Sequence, residues 1–457
     1  MELCLRSMPR WAALVALGVA GIGMASRNAW PTLAETFILA TSVVCIYGVL
    51  QLKLEPIRIV LAGLWVAMVV SIGDSMPVPQ IWLDFKTFVD GANLLFDHHR
   101  SPYLAVGTTA FPFPTFLLVR ALSLGGYLPF DTIGWIFFLL QVLFLALSYL
   151  LVCGVIRQER LRSTSDLAIG LIQGGLILHP AIYFGLLYGQ SGVIAGAALL
   201  GAIWCWRCGN NRWWWHGAAI LLDLAWMIKP QLLMAAGFFL ASWLRERKLI
   251  PRGGRSDAAI GRLILPWSAA LIALSLPIAF PASLMAYRDF FAVALRWHTY
   301  ISEILPHNYA ASAILAKAGM RIWGISVSQS LPILSTAGAG LVLLWNWLSL
   351  VRAKRNSLRV FVPWLLASLL WTSLVWPFYL SLVIAGLWLL VAYERDCHSP
   401  PARARSLWLA TGVGLTMVFS SFAFTLGILI LYFQSHEVLA RETAAFHKDG
   451  GWKRAPS

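Results

Sequence analysis

The chain has 457 residues, 59% of them apolar and only 12% charged, with a formal net charge of +15. Soluble domains carry about 25% charged residues, so this composition excludes an ordinary soluble enzyme and leaves room for on the order of a dozen spans of about 20 residues. The basic excess does not signal nucleic acid, because Lys and Arg cluster between apolar runs, as topogenic charge does.

Apolar runs fall near 11–26, 34–52, 57–73, 131–156, 166–187, 190–206, 214–229, 231–244, 262–280, 328–351, 360–376, 377–393 and 406–433. The first follows Arg6 and Arg10 and is read as an uncleaved anchor rather than a removed signal. The stretch 111–125 is apolar but too short to span. Pro230 either separates two spans or bends one long helix over 214–244.

With the N-terminus inside, the short inner loops hold 22 of the 35 basic residues, including Arg157, Arg207, Arg245, Arg352 and Arg395. That bias sets the orientation and puts segments 74–130 and 281–327 on the outer face. The expected fold is an all-α polytopic membrane protein of about 11–13 transmembrane helices, with outer-facing loops and short amphipathic helices. One domain covers 1–434, and 435–457 forms a polar C-terminal tail. The 23 Trp and 24 Phe suit aromatic belts at the interfaces as well as core packing.

Asp84 stands out. It is a carboxylate in the polar stretch Trp82-Leu83-Asp84-Phe85-Lys86-Thr87, just past a span, in a chain with only 20 acids. It suits a general base at the membrane surface, and equally a cap for a helix whose interior is 86–96. Asp90 lies six residues on, about 120° round a helix, so the two are not a paired carboxylate. Asp90 and Asp97 are read as turn or cap residues. Within the spans, Gln173, His179 and Asp223 are the notable polar residues, and Asp223 is read as a hydrogen bond between helices.

Cys205-x-x-Cys208 lacks the second pair or histidines of a zinc site, and Gly253-Gly254 lacks the spacing of a phosphate loop. No metal and no cofactor are expected.

Four groups of residues resemble one family. They are Asp84-Phe85 with Gly91-Ala92, Ser101-Pro102-Tyr103 and Phe111-Pro112-Phe113-Pro114; Tyr188-Gly189-Gln190 with Met227-Ile228-Lys229-Pro230-Gln231; Pro306-His307-Asn308-Tyr309; and Trp376-Pro377-Phe378-Tyr379. In order and sidedness they resemble glycosyltransferase family 87, polytopic GT-C enzymes that include polyprenol-phosphate-mannose-dependent mannosyltransferases. The likeness covers roughly 80–380. It departs where Phe378 and Tyr379 stand in place of a histidine pair, and where Thr115 replaces a second proline.

The resemblance implies an inverting hexosyltransferase at the outer face of a bacterial plasma membrane. A mannose-like sugar would pass from a polyprenyl-phosphate carrier to a lipid or glycan acceptor, with no nucleic-acid partner. A lipid phosphate is a good leaving group, so the chemistry needs one carboxylate base and a cation for the departing phosphate. Asp84 is the candidate base and Lys229 the candidate phosphate partner. Gln190, His307 and Asn308 are candidate sugar contacts, and Tyr103, Trp376 and Tyr379 complete the donor and acceptor set. Arg288, Arg296 and His298 are further outer-loop candidates. Two other classes stay open: a multi-pass lipid or solute transporter using Asp84, Asp223 and Lys229, or a polysaccharide polymerase or ligase leaning on Arg288 and Arg296.

Overall fold

The computed structural model describes residues 83–105, 113–158, 188–208, 211–249, 256–290, 310–352, 358–370 and 421–448, positions 185 and 292, and short pieces between 379 and 416. The described residues are all-α. In chain order the helices are α1 (Leu83–Phe96), α2 (Pro102–Ala105), α3 (Phe113–Leu122), α4 (Phe130–Gln158), α5 (Gly192–Cys208) and α6 (Arg212–Ile228). They continue with α7 (Leu233–Leu249), α8 (Ser256–Ser275), α9 (Ala311–Trp323), α10 (Val327–Arg352), α11 (Leu358–Ala367) and α12 (Ser421–Lys448).

Among the described residues, two stretches, Ser256–Ile278 and Val327–Val351, are long and apolar enough to cross a membrane. The second leaves Ile333, Leu341, Leu344 and Trp345 exposed on its surface. The runs expected at 11–26, 34–52 and 57–73 lie outside the described residues, as does 166–187 apart from Gly185.

The central packing runs α4 to α5 to α6 to α8 to α7 to α11 to α12. Helix α5 is rich in Ala, Leu and Gly, and Gly201 of α5 and Gly217 of α6 each face the other helix. A Cβ on Gly201 would stand 3.1 Å from Leu221, and one on Gly217 3.7 Å from Cys205. Helix α7 meets α11 through interlocked aromatic rings: Trp206, Phe238, Phe239 and Phe361 pack edge-on or tilted, with centroids 5.0–5.9 Å apart.

Helices α7 and α8 approach closely at Gly261. A Cβ on Gly261 would lie 2.2 Å from the Phe239 carbonyl oxygen and 2.9 Å from Trp243 Cβ. Neither neighbour is a flexible tip, so Gly261→Ala must push the helices apart, at a cost of about 1–3 kcal/mol. Gly338 in α10 has nothing within 4 Å, and Ala there removes only the entropic handicap of glycine, about 0.5–1 kcal/mol in its favour. Thermal unfolding of the purified protein should therefore show the midpoint falling for Gly261→Ala and holding or rising for Gly338→Ala.

The break between α6 and α7 follows from one dipeptide. Proline pushes the residue before it out of the helical region, and Lys229 has φ −136 and ψ 99. Pro230 then starts a short 3-10 turn over Pro230–Leu232 before α7 begins. Of the two readings of 214–244, the structure has two helices. At the other end of α6, Asn211 caps the helix by accepting from the Trp214 N–H at 3.3 Å.

Helix α12 runs on to Lys448, so the boundary expected at 434/435 falls inside a helix rather than at the start of a separate tail. Two polar contacts tie α12 to α10 on either side of that boundary. Tyr432 donates to Asn346 Oδ1 at 2.8 Å, and His436 Nδ1 lies 3.1 Å from Ser349 Oγ, both on α10.

Candidate functional site

Helix α1 sets the first element of the site. Phe85, Phe88, Val89, Ala92 and Leu95 recur at helical spacing and are buried, while Lys86 and Asn93 face outward. Phe85 stacks on Phe137 with centroids 4.5 Å apart and packs against Phe88 and Phe130. Burying one such ring contributes about 1.5–3 kcal/mol, which fixes the rotation of α1 and with it the position of its neighbour Asp84. Lys86 and Asp90 pair on the exposed face at 2.7 Å, a solvated contact of little energetic weight.

The start of α1 is tied to the turn at 188–190. The Tyr188 carbonyl accepts from both the Asp84 and Phe85 N–H groups at 3.2 Å. The turn can come this close because Gly189 has φ +68, and a Cβ there would stand 2.5 Å from Phe85 Cβ. A side chain at 189 is thus excluded twice, by backbone conformation and by space. The turn delivers Gln190, whose own N–H donates to the Gly185 carbonyl at 2.8 Å.

Three side chains from distant regions of the sequence meet here. Gln190 Nε2 donates a short hydrogen bond to Asp84 Oδ2. Lys229 Nζ donates to Gln190 Oε1 at 2.7 Å. The Lys229 ammonium also sits 5.0 Å above the Tyr379 ring, a cation–π contact, and the Tyr379 hydroxyl hydrogen-bonds the Gln231 side chain. Gln190, Lys229 and Tyr379 are buried, whereas Asp84 keeps some of its surface accessible. Electrostatics follow this geometry. Burial raises the Asp84 carboxyl above its ordinary 3.8, and the Gln190 hydrogen bond and the Lys229 charge hold it partly down. Burial, and then the Asp84 charge, push the Tyr188 phenol up.

Of the residues expected from sequence, the structure brings together Asp84, Gln190, Lys229 and Tyr379. Tyr103 packs in another cluster, against Phe116 and Phe290 with centroids 6.0 and 5.8 Å away. There, burial followed by the nearby Tyr287 and Asp289 raises its phenol well above 10.0. In the same cluster Arg288 pairs with Asp289 at 2.8 Å. His307, Asn308 and Trp376 lie outside the described residues, as do Arg296 and His298.

Gln190, a candidate sugar contact, has both ends of its amide engaged by side chains of the site. One expectation changes: Asp90, expected in a turn or cap, lies inside α1 and pairs with Lys86. Asp97 lies in the turn just after α1, as expected, and also accepts from both guanidinium nitrogens of Arg120 on α3, because α1 and α3 pack together. Sequence reasoning also passed over Tyr188 and Gln231 as members of the site. Their signal was membership of the same short motifs as Gly189-Gln190 and Lys229-Pro230.

Asp223 is fully buried between α6 and α8, with Oδ1 accepting from Trp226 Nε1 at 2.9 Å and from Ser268 Oγ at 2.8 Å. The second of these bonds crosses between helices. Among the described residues no three His, Cys, Asp or Glu side chains gather to hold a metal ion.

A part-buried carboxylate and a buried ammonium, joined by one amide, place a proton acceptor and a cation in one site. No protein-family model matches the chain, and no curated protein matches it.

Proposed function

We propose that this chain is a polytopic membrane glycosyltransferase that moves a hexose from a polyprenyl-phosphate carrier to a lipid or glycan hydroxyl. The observation that carries the reading is the line of contacts from Asp84 through Gln190 to Lys229, joining residues 106 and 39 positions apart in the chain. A base and a cation held at that separation are the groups this reaction requires.

The acceptor oxygen attacks the anomeric carbon and Asp84 takes its proton. The bond from that carbon to the phosphate oxygen breaks, its electron pair leaves with the phosphate, and Lys229 receives the developing charge. One carboxylate with no second nucleophile gives inversion at the anomeric carbon. Asp84 fits the base because it is the carboxylate of the trio and the least buried of the three, while Lys229 holds a positive charge on an aromatic ring beside it. The positive-inside count supports an active face on the outer side of a bacterial plasma membrane. The apolar helices Ser256–Ile278 and Val327–Val351 support the membrane setting.

The test supplies purified protein with radiolabelled polyprenyl-phosphate sugars and a membrane extract. The reading expects labelled sugar to appear in an acceptor, with polyprenyl phosphate released in equal amount. Movement of the lipid or of a solute across a vesicle membrane without such release would remove it and favour a transporter.

A further inference from the structure

We propose that α9 rests in the membrane interface beside α10, and that Lys317 and Arg321 together hold the phosphate of an anionic phospholipid head group. The inference rests on the membrane setting and not on the transfer chemistry.

Helix α9 carries three stripes. Its buried stripe is made of small residues, Ser312, Ala313, Ala316 and Gly319, and the helix packs on α10. Leu315 and Ile322 are 57% and 67% exposed and stand about 20° apart round the helix axis. Lys317 and Arg321 lie one turn apart on the outward surface, about 130° from the Leu315 and Ile322 pair. An outward surface with an apolar stripe on one side and a basic stripe on the other suits a helix lying in an interface. The apolar side enters the acyl boundary and the cations stay among the head groups.

The chain itself holds α9 at that depth. Gly324, with φ +66, closes the helix by donating its N–H to the Met320 carbonyl at 3.0 Å. Three residues then lead to Val327, where the apolar stretch Val327–Val351 begins. Such a link reaches on the order of 10 Å, so α9 stands next to the end of a helix long enough to span. Trp323 and Ile325, at and just past the end of α9, are exposed as well, as interfacial anchors are.

The basic pair needs a reason of its own. Like charges four residues apart repel and weaken a helix. The two do feel each other: burial, and then the Arg321 charge, hold the Lys317 ammonium below its ordinary 10.5. Among the described residues no acid pairs with either. The helix dipole favours Arg321 in the last turn but not a second cation one turn earlier. Topogenic charge does not account for them, because α9 falls in the segment that the basic loops put on the outer side. A phosphate seated between the two removes the repulsion and accepts charge-assisted hydrogen bonds from both. An anionic head group presents that phosphate without a cation of its own, and a zwitterionic one brings a competing cation.

Hydrogen exchange of the full chain in lipid nanodiscs reads α9 directly, through peptides within 311–323. Phosphatidylglycerol is titrated into discs of phosphatidylcholine. Wild-type exchange over 311–323 should slow as phosphatidylglycerol rises, because an anion between the cations stabilises the helix, while exchange over α5 should hold. Lys317→Gln or Arg321→Gln should raise the phosphatidylglycerol fraction at half effect by about fivefold, the worth of one basic residue near an anionic surface. Arg321→Lys should keep the wild-type response. No slowing in the wild type overturns the proposal, and that arm needs no variant to fold. An undiminished response in the double variant Lys317→Gln, Arg321→Gln also overturns it. Equal slowing by soluble glycerol 3-phosphate would make this a site for free phosphate rather than lipid. Slowing that follows the number of chains per disc, and not the lipid, would put a second copy on α9. Either result removes the proposal. Exchange requires no sugar transfer, so slowing in protein that transfers no sugar keeps the lipid site and removes the transferase reading, and transfer without slowing does the reverse.

Discussion

Asp84→Asn is expected to lower the rate of sugar transfer by about 10²–10⁴-fold, the usual contribution of a positioned general base. Asparagine has the same shape, and its oxygen can still accept from Gln190, so binding of polyprenyl phosphate should change little. The loss should therefore appear in kcat rather than KM. Wild-type activity should itself fall on acidification, because the base works only when ionised. Burial lifts Asp84 above 3.8, so the fall begins at a higher pH than for an exposed carboxylate. Radiolabel transfer across a pH series measures both effects, and equal rates for wild type and Asp84→Asn would eliminate Asp84 as the base.

The second large effect is expected at Lys229. Methionine keeps the stem and its packing on Tyr379 but deletes the charge. A hydrogen bond to a charged group is worth about 1.5–3 kcal/mol, which converts to a loss of roughly 10–150-fold in kcat/KM. The negative charge on the phosphate grows as its bond to the sugar breaks, so kcat should suffer more than binding. Lys229→Arg restores the charge but spreads it over a planar fork, in a slot now shaped by a single nitrogen 2.7 Å from Gln190 and 5.0 Å from the Tyr379 ring. It should recover only a fraction of the activity. Full transfer by Lys229→Met would show that the phosphate is received elsewhere.

Some of this arrangement could be read from the chain. The helix break at Lys229 follows from Pro230 alone, because the clash that disfavours helix before proline is local. The burial of Phe85, Phe88 and Ala92 follows from their spacing. The basic loops put Asp84, Gln190 and Lys229 at the same end of the expected spans, which is a necessary condition for their meeting.

What spacing could not supply was who touches whom. Gln190 was legible as a polar residue at a helix start, but its partners lie 106 and 39 residues away, and nothing in the local pattern marks an amide as a bridge rather than a sugar ligand. The Asp97 pair with Arg120 was hidden for the same reason, at a separation of 23. The run of α12 to Lys448 was illegible because the polar residues past 434 read as a tail, and the contact of His436 with Ser349 on α10 joins residues 87 apart.

The shared acceptor at Tyr188 has a mechanical consequence. A single carbonyl grips the first two amides of α1, so the strip that carries Gln190 and the helix that carries Asp84 are yoked at one atom. A tug on either is felt by the other without passing through any side chain. The spacing between the acid and its amide therefore survives swaying of the surrounding helices, as tools clamped in one vise keep their gap when the bench shakes.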